Sequence, residues 1–146
     1  MNKSVNKYKL EESFGYLTGN AYRAINRRLK ALFESEGHPI TVEQFGVLVH
    51  LWEMDGICQN EISEILDKDK HNISRIVGKL EASGYLEKIG HQDDNRKKVL
   101  VLTEKGKCLE KGTKKLALKV YEECLGFAGE DSEIIKNFLR RIKNNL

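Results

Sequence analysis

Apolar residues recur along the first part of the chain at helical spacing. Phe14, Leu17, Ala21, Ile25, Leu29 and Leu32 fall three and four apart, which predicts a long helix from about Lys9 to Glu34. Arg23, Arg27, Arg28 and Lys30 cover its other side. Gly37-His38-Pro39 breaks the pattern. Thr41 with Gln44 three residues on forms a capping box that opens a second helix, with Phe45, Leu48, Leu51 and Trp52 as its apolar face and Asp55-Gly56 as its end. A short third helix is expected from about Gln59 to Leu66, burying Ile62, Ile65 and Leu66. After an Asp67-Lys68-Asp69 turn, a fourth runs from about His71 to Ala82 with Ile73, Ile76, Val77 and Leu80 inward, and Gly84 is placed to cap its end. Two short helices joined by so brief a turn have the layout of a helix-turn-helix.

The period then changes to that of strands. Tyr85–Ile89 and Lys98–Leu102 flank the polar, turn-rich stretch from Gly90 to Lys97, which predicts a hairpin with a long basic tip. Thr103 caps the next helix, expected to run unbroken to about Phe127, with a seam of Leu109, Leu116, Val120, Cys124 and Phe127. Gly126 to Gly129 breaks it. A last helix starts at Asp131 or Ser132 and carries Ile134, Ile135, Phe138, Leu139 and Ile142. The expected fold is mostly α with a small β-hairpin wing. In it a winged helix-turn-helix lobe (41–102) sits in a single domain (1–146), flanked by dimerisation helices (8–36 and 104–146). The flanking seams have no partner within so small a lobe, which points to a homodimer.

Composition narrows the function. The chain has 146 residues, 40% hydrophobic and 32% charged, enough for one core. No apolar run reaches the roughly 18 residues of a membrane helix, and Met1 to Leu10 has no apolar stretch of a secretory signal, so no membrane association is expected. Three widely spaced cysteines (Cys58, Cys108, Cys124) fit neither a disulfide framework nor a CxxC metal site, so a cytoplasmic location is expected. No P-loop, GxGxxG, HExxH or GxSxG occurs, and the four His are scattered, so neither catalysis nor a metal or cofactor is expected.

Charge distribution is more telling than net charge. Lys70 to Lys98 holds seven Lys and Arg against four Asp and Glu, which accounts for the whole formal +3 of the chain. The preceding Thr41 to Leu66 holds five acids and no Lys or Arg. Such a local excess is a phosphate footprint or a solvated face. On the fourth helix Lys70, His71, Asn72, Ser74, Arg75 and Lys79 point outward, the arrangement of a helix lying in a major groove. Arg75 is the best candidate for a base contact. Gln59 and Asn60 open the preceding helix, either as phosphate contacts or as its cap. At the hairpin tip Arg96, with Lys97 and Lys98, suits a narrow minor groove, and Asp94 is expected to hold the Arg96 guanidinium. The alternative is a winged-helix protein-interaction module without DNA binding. It gives no reason for Arg at the tip beside two Lys.

Taken in order, Gln44-Phe45 to Leu51, Asn60-Glu61-Ile62, His71-Asn72-Ile73-Ser74-Arg75-Ile76-Val77 to Leu80, Gly84-Tyr85-Leu86-Glu87-Lys88, Asp94-Asn95-Arg96-Lys97 and Leu102-Thr103-Glu104-Lys105-Gly106 resemble the MarR family of bacterial transcriptional regulators. The Asp-x-Arg wing followed by Leu-Thr-x-x-Gly is the most specific part. The resemblance implies a triangular homodimer with recognition helices in major grooves and wings in minor grooves. It implies a repressor on double-stranded DNA with a pseudo-palindromic operator, released by a small aromatic effector. By position, Phe14, Tyr22, Arg23, Phe45, His50 and Trp52 are the effector candidates, and all suit a core equally well. Asn95 departs from the family pattern, where a second basic residue is frequent. The redox branch has a cysteine near the start of its first helix and the zinc branch a histidine on its fifth; this chain has neither.

Overall fold

The computed structural model describes residues 7–146; Met1–Asn6, part of the polar N-terminal stretch considered above, lie outside the described residues. The elements are α1 (Phe14–Ser35), α2 (Val42–Glu53), β1 (Ile57–Cys58), α3 (Gln59–Ile65), α4 (Lys70–Ala82), β2 (Leu86–Gly90), β3 (Lys98–Leu102), α5 (Glu104–Cys108), α6 (Glu110–Ala128) and α7 (Ser132–Asn145). Helix starts follow their caps. α1 begins at Phe14 rather than Lys9 because the Ser13 hydroxyl accepts the Tyr16 N–H at 3.3 Å, leaving only a 3₁₀ turn, Leu10–Glu12, before it. The Thr41–Gln44 box is formed in both directions, at 3.1 and 2.9 Å. Asp69 caps α4 by accepting the Asn72 N–H at 2.8 Å. Neither Gln59 nor Asn60 caps α3. The cap position is Cys58, whose N–H donates to the Glu61 carboxylate at 2.9 Å.

The sheet has one strand more than the pattern predicts. β1 pairs antiparallel with β3 (Ile57 opposite Leu100), and β3 pairs with β2 from Leu86–Leu102 to Gly90–Lys98, giving the order β1-β3-β2. The Asp55 carboxylate accepts the Leu102 N–H at 2.9 Å, which ties the end of α2 to the end of β3. α3 buries Ile62 and Ser63, but Ile65 is 48% exposed, against expectation. The helix ends at Ile65, and the Ser63 hydroxyl turns the chain by donating to the Lys68 carbonyl at 2.5 Å. Asp67, at φ 49°, takes the left-handed conformation this turn needs.

The core is continuous from the lobe into the flanking helices. Phe33 of α1, Leu48 and Leu51 of α2, Ile62 of α3, Ile73, Ile76 and Leu80 of α4, Leu86 of β2 and Leu100 of β3 are fully buried together. Leu29 and Leu32 of α1 and Val120 of α6 belong to the same cluster, and Leu109, Leu116 and Cys124 pack against it. The flanking seams therefore find half their partners within the chain. The other half stays open. Phe127 is 91% and Ile134 69% exposed, and Phe14, Leu17, Ile25 and Ile135 are exposed as well. A cleft of about 460 Å³ between α1, α6 and α7 is lined by Ala21, Ile25, Cys124, Phe127 and Ile135. Beside it the Arg28 guanidinium donates twice to Glu123, at 3.0 and 2.8 Å, tying α1 to α6.

One junction joins the lobe to the long helices. The Thr103 hydroxyl caps α5 by accepting the Gly106 N–H (3.1 Å) and donates to the Gly84 carbonyl (2.6 Å), while the Thr103 N–H donates to the Tyr85 carbonyl (3.1 Å). The Lys105 ammonium reaches the Ser83 carbonyl at 2.8 Å and lies over the Tyr85 ring. The Trp52 indole N–H donates to the Gly106 carbonyl at 3.1 Å. A Cβ on Gly106 would overlap the Tyr85 carbonyl oxygen, so only glycine fits. The expected single helix after Thr103 is interrupted at Leu109, where α5 ends and α6 begins.

Gly106→Ala should cost about 2–3 kcal/mol in urea unfolding, because backbone rather than a flexible side chain must move. The Arg28–Glu123 pair makes a second prediction. Hydrogen bonding from Arg28 holds the Glu123 carboxyl below its usual pKa. The unfolded chain therefore binds more protons in mild acid, so the pair stabilises above the ordinary glutamate pKa and loses its effect as pH falls through the lowered one. Melting curves should show Glu123→Gln less stable than the parent at neutral pH, with the gap closing in acid and in high salt.

Candidate nucleic-acid interface

The inward face of α4 is filled by Ile73, Ile76, Val77 and Leu80, which forces its polar residues outward. Lys70, His71, Ser74, Arg75 and Lys79 are exposed and Asn72 is half-buried, all away from the buried side of the helix. Arg75 is not free. Its Nη2 donates to the Asn72 side-chain oxygen at 2.9 Å and to Glu43 Oε2 at 3.3 Å. Glu43 Oε1 lies 3.9 Å from the Lys68 ammonium. The sequence reading missed Glu43, since an acid in a first helical turn is already explained by the helix dipole.

The wing tip is ordered by its own backbone. The His91 N–H donates to the Lys97 carbonyl (3.1 Å), and the Lys97 N–H donates to the Asp94 carbonyl (3.0 Å). Asp94 Oδ1 accepts the Arg96 backbone N–H at 3.0 Å, and His91 Nδ1 accepts the Asp93 N–H at 3.1 Å. This corrects the expectation for Asp94. It holds the turn that carries Arg96 rather than the guanidinium, and the Arg96 side chain is exposed. Lys97 and Lys98 are exposed beside it. Between this tip and the start of α3 lies a notch of about 290 Å³ lined by Cys58, Gln59, Asn60, Glu61, Arg96, Lys97 and Lys98. Gln59 is thus brought next to the wing cations, a proximity that their distance along the chain conceals.

A helix with a polar outward face, a short helix before it and a basic hairpin after it match known proteins over most of the chain. The model of the MarR family matches residues 38–97. YybA, an uncharacterized HTH-type transcriptional regulator of Bacillus subtilis (strain 168), is 31% identical over 108 residues, 73% of this chain and 72% of YybA. A MarR transcriptional regulator from Methanosarcina mazei Go1 superposes with a TM-score of 0.78 at 31% identity, covering 90% of this chain and 94% of that one. The chain belongs to the MarR family of transcriptional regulators. A transcriptional repressor, CouR, bound to a 23-mer DNA duplex superposes on this MarR chain with a TM-score of 0.81 at 26% identity, covering 92% of this chain and 94% of that one.

The six effector candidates are not brought together in this MarR protein. Phe45 packs in the core, its ring 5.3 Å from that of Phe33 and 6.0 Å from that of Trp52, and the Trp52 N–H is used at the Gly106 junction. His50 is half-buried on the same helix. Toward the other end of α1, Phe14 meets Phe138 in a tilted ring pair with centroids 5.1 Å apart, Tyr22 is exposed, and Arg23 donates to the Asn20 side-chain oxygen on the helix surface. Among the described residues no group of three or more His, Cys, Asp and Glu is placed to hold a metal ion, and no helix is long and apolar enough to cross a membrane. Cys58 and Cys124 are half-buried and Cys108 is exposed, all as free thiols.

Asp94→Ala should speed amide hydrogen exchange at Arg96 and Lys97 while leaving exchange in α4 unchanged, since the carboxylate stabilises only the tip. Equal acceleration in both regions would show that Asp94 supports the whole lobe instead.

Proposed function

We propose that this regulator is a dimeric, sequence-specific DNA-binding repressor that occludes a pseudo-palindromic operator and is released by a small-molecule effector. It works by binding rather than catalysis, in the cytoplasm. The observation that carries the reading is the exposure of two cationic groups, one on the outward side of α4 and one at the wing tip. Arg75 projects with Lys70, Ser74 and Lys79 from α4, and Arg96 projects with Lys97 and Lys98 from the wing across a notch from Gln59. A helix of this polarity fits a major groove and a basic hairpin tip the adjacent minor groove. The likeness to CouR on its duplex supports the same docking.

Assembly as a homodimer follows from the open faces of α1, α6 and α7, since Phe127 and Ile134 have no cover within one chain. A CouR from Rhodococcus jostii RHA1 is known bound to p-coumaroyl-CoA, and a comparable effector here would act by changing the spacing of two lobes. A coupling of ~1–3 kcal/mol between effector and operator is enough for release.

The two arginines should fail differently in salt titrations of binding to selected and shuffled duplexes. Arg75→Ala should cost ~1–3 kcal/mol per half-site on the selected duplex and relax preference at one base pair. Arg96→Ala should weaken both duplexes alike and reduce the salt slope by about one per lobe. If both variants bind both duplexes as tightly as the parent, the protein-interaction reading replaces this one. Light scattering should give twice the 16.7 kDa chain mass, and Ile135→Glu should shift it toward one chain by placing a charge in the apolar cleft. Leu116 is unsuited to that test because it packs on its own chain's core.

A further inference from the structure

Building on the DNA-binding reading, we propose that Glu43 is a positioning residue that sharpens sequence discrimination by restraining Arg75. Glu43 sits in the first turn of α2 and faces two other elements. Its Oε2 takes the Arg75 Nη2 from α4 at 3.3 Å, and its Oε1 lies 3.9 Å from the Lys68 ammonium in the turn before α4. The same Arg75 Nη2 donates to the Asn72 side-chain oxygen at 2.9 Å. One carboxylate thus meets the turn and the recognition helix together, and the arginine is held on two sides.

A carboxylate among outward cations is a sequence-independent disadvantage, because it repels every phosphate that approaches. Its gain is directional. An arginine has five N–H donors, and Glu43 and Asn72 take both hydrogens of Nη2, leaving the donors of Nη1 and Nε, which diverge and offer one hydrogen bond at a time to a base acceptor. A guanidinium already ordered loses less freedom on meeting a guanine acceptor placed for one of them. On a wrong sequence the restraint denies Arg75 its easy alternative, a swing to the nearest phosphate. Glu43 therefore weakens binding to unmatched DNA more than binding to matched DNA. Discrimination of this kind is a difference of two affinities, and a repulsive element contributes to it as directly as an attractive one.

The experiment uses the full-length protein, a duplex that the parent selects from random sequence, and a shuffled copy of it. Glu43→Gln should bind the shuffled duplex about 5-fold more tightly, with a salt slope steeper by about one per lobe, while binding to the selected duplex changes by less than about 2-fold. In an Arg75→Ala background the same substitution should leave the ratio of the two affinities unchanged, because the group it acts through is gone. Melting temperature should hardly move, since Glu43 is exposed. An unchanged affinity ratio in Glu43→Gln, or an equal change of that ratio with and without Arg75, overturns the proposal and leaves the DNA-binding reading intact. Failure of the parent to select any duplex overturns both.

Discussion

Gly106 packs so directly against the Tyr85 carbonyl that a Cβ has no room there, and this contact joins the two parts of the molecule on which the outward groups are carried. Tyr85 follows the end of α4 and leads into β2; Gly106 lies in α5, ahead of α6. Their contact therefore joins α4, the root of the hairpin and the long flanking helix. Thr103 and Lys105 reinforce it by taking the carbonyls of Gly84 and Ser83, which the end of α4 leaves without partners of its own. The joint between α5 and the end of α4 thus combines direct backbone packing with hydrogen bonds from Thr103 and Lys105.

Most of the helical order was legible because each start is written in a cap and each face in a period. The Thr41–Gln44 box formed as read, and Ile73, Ile76, Val77 and Leu80 are the buried face of α4. β1 was not legible, because two residues carry no period and become a strand only through pairing with β3, more than 40 residues away. Ile65 looked buried because helical periodicity was extended past the point where Ser63 and Lys68 turn the chain. The Phe45 ring meets those of Phe33 and Trp52, and spacing alone does not separate packing of this kind from ligand contact.

The outward surface was legible in its charges but not in their connections. Asp94 stands two residues before Arg96, a separation that suits both a guanidinium contact and a turn in which a side chain accepts a backbone N–H; the shorter reach of aspartate favours the second. Gln59 and the wing cations share a notch only because β1 and β3 pair, the same long-range contact that the pattern missed. An acid of the stretch before the basic one is folded onto it, as Arg75 on Glu43 shows, and within the basic stretch Lys88 is met by Glu81. The net positive region is therefore smaller and more directional than the linear count of charges suggests.

Trp52 is the only tryptophan in the chain. Its indole N–H is bonded to the Gly106 carbonyl, and its ring lies 5.6 Å from the Lys114 ammonium of α6. The native protein thus carries an intrinsic fluorophore at the joint between lobe and long helices, polarised by a neighbouring cation and by the backbone it bonds. Its emission reports how firmly the two halves of the molecule are coupled, with no label and no substitution needed to read it.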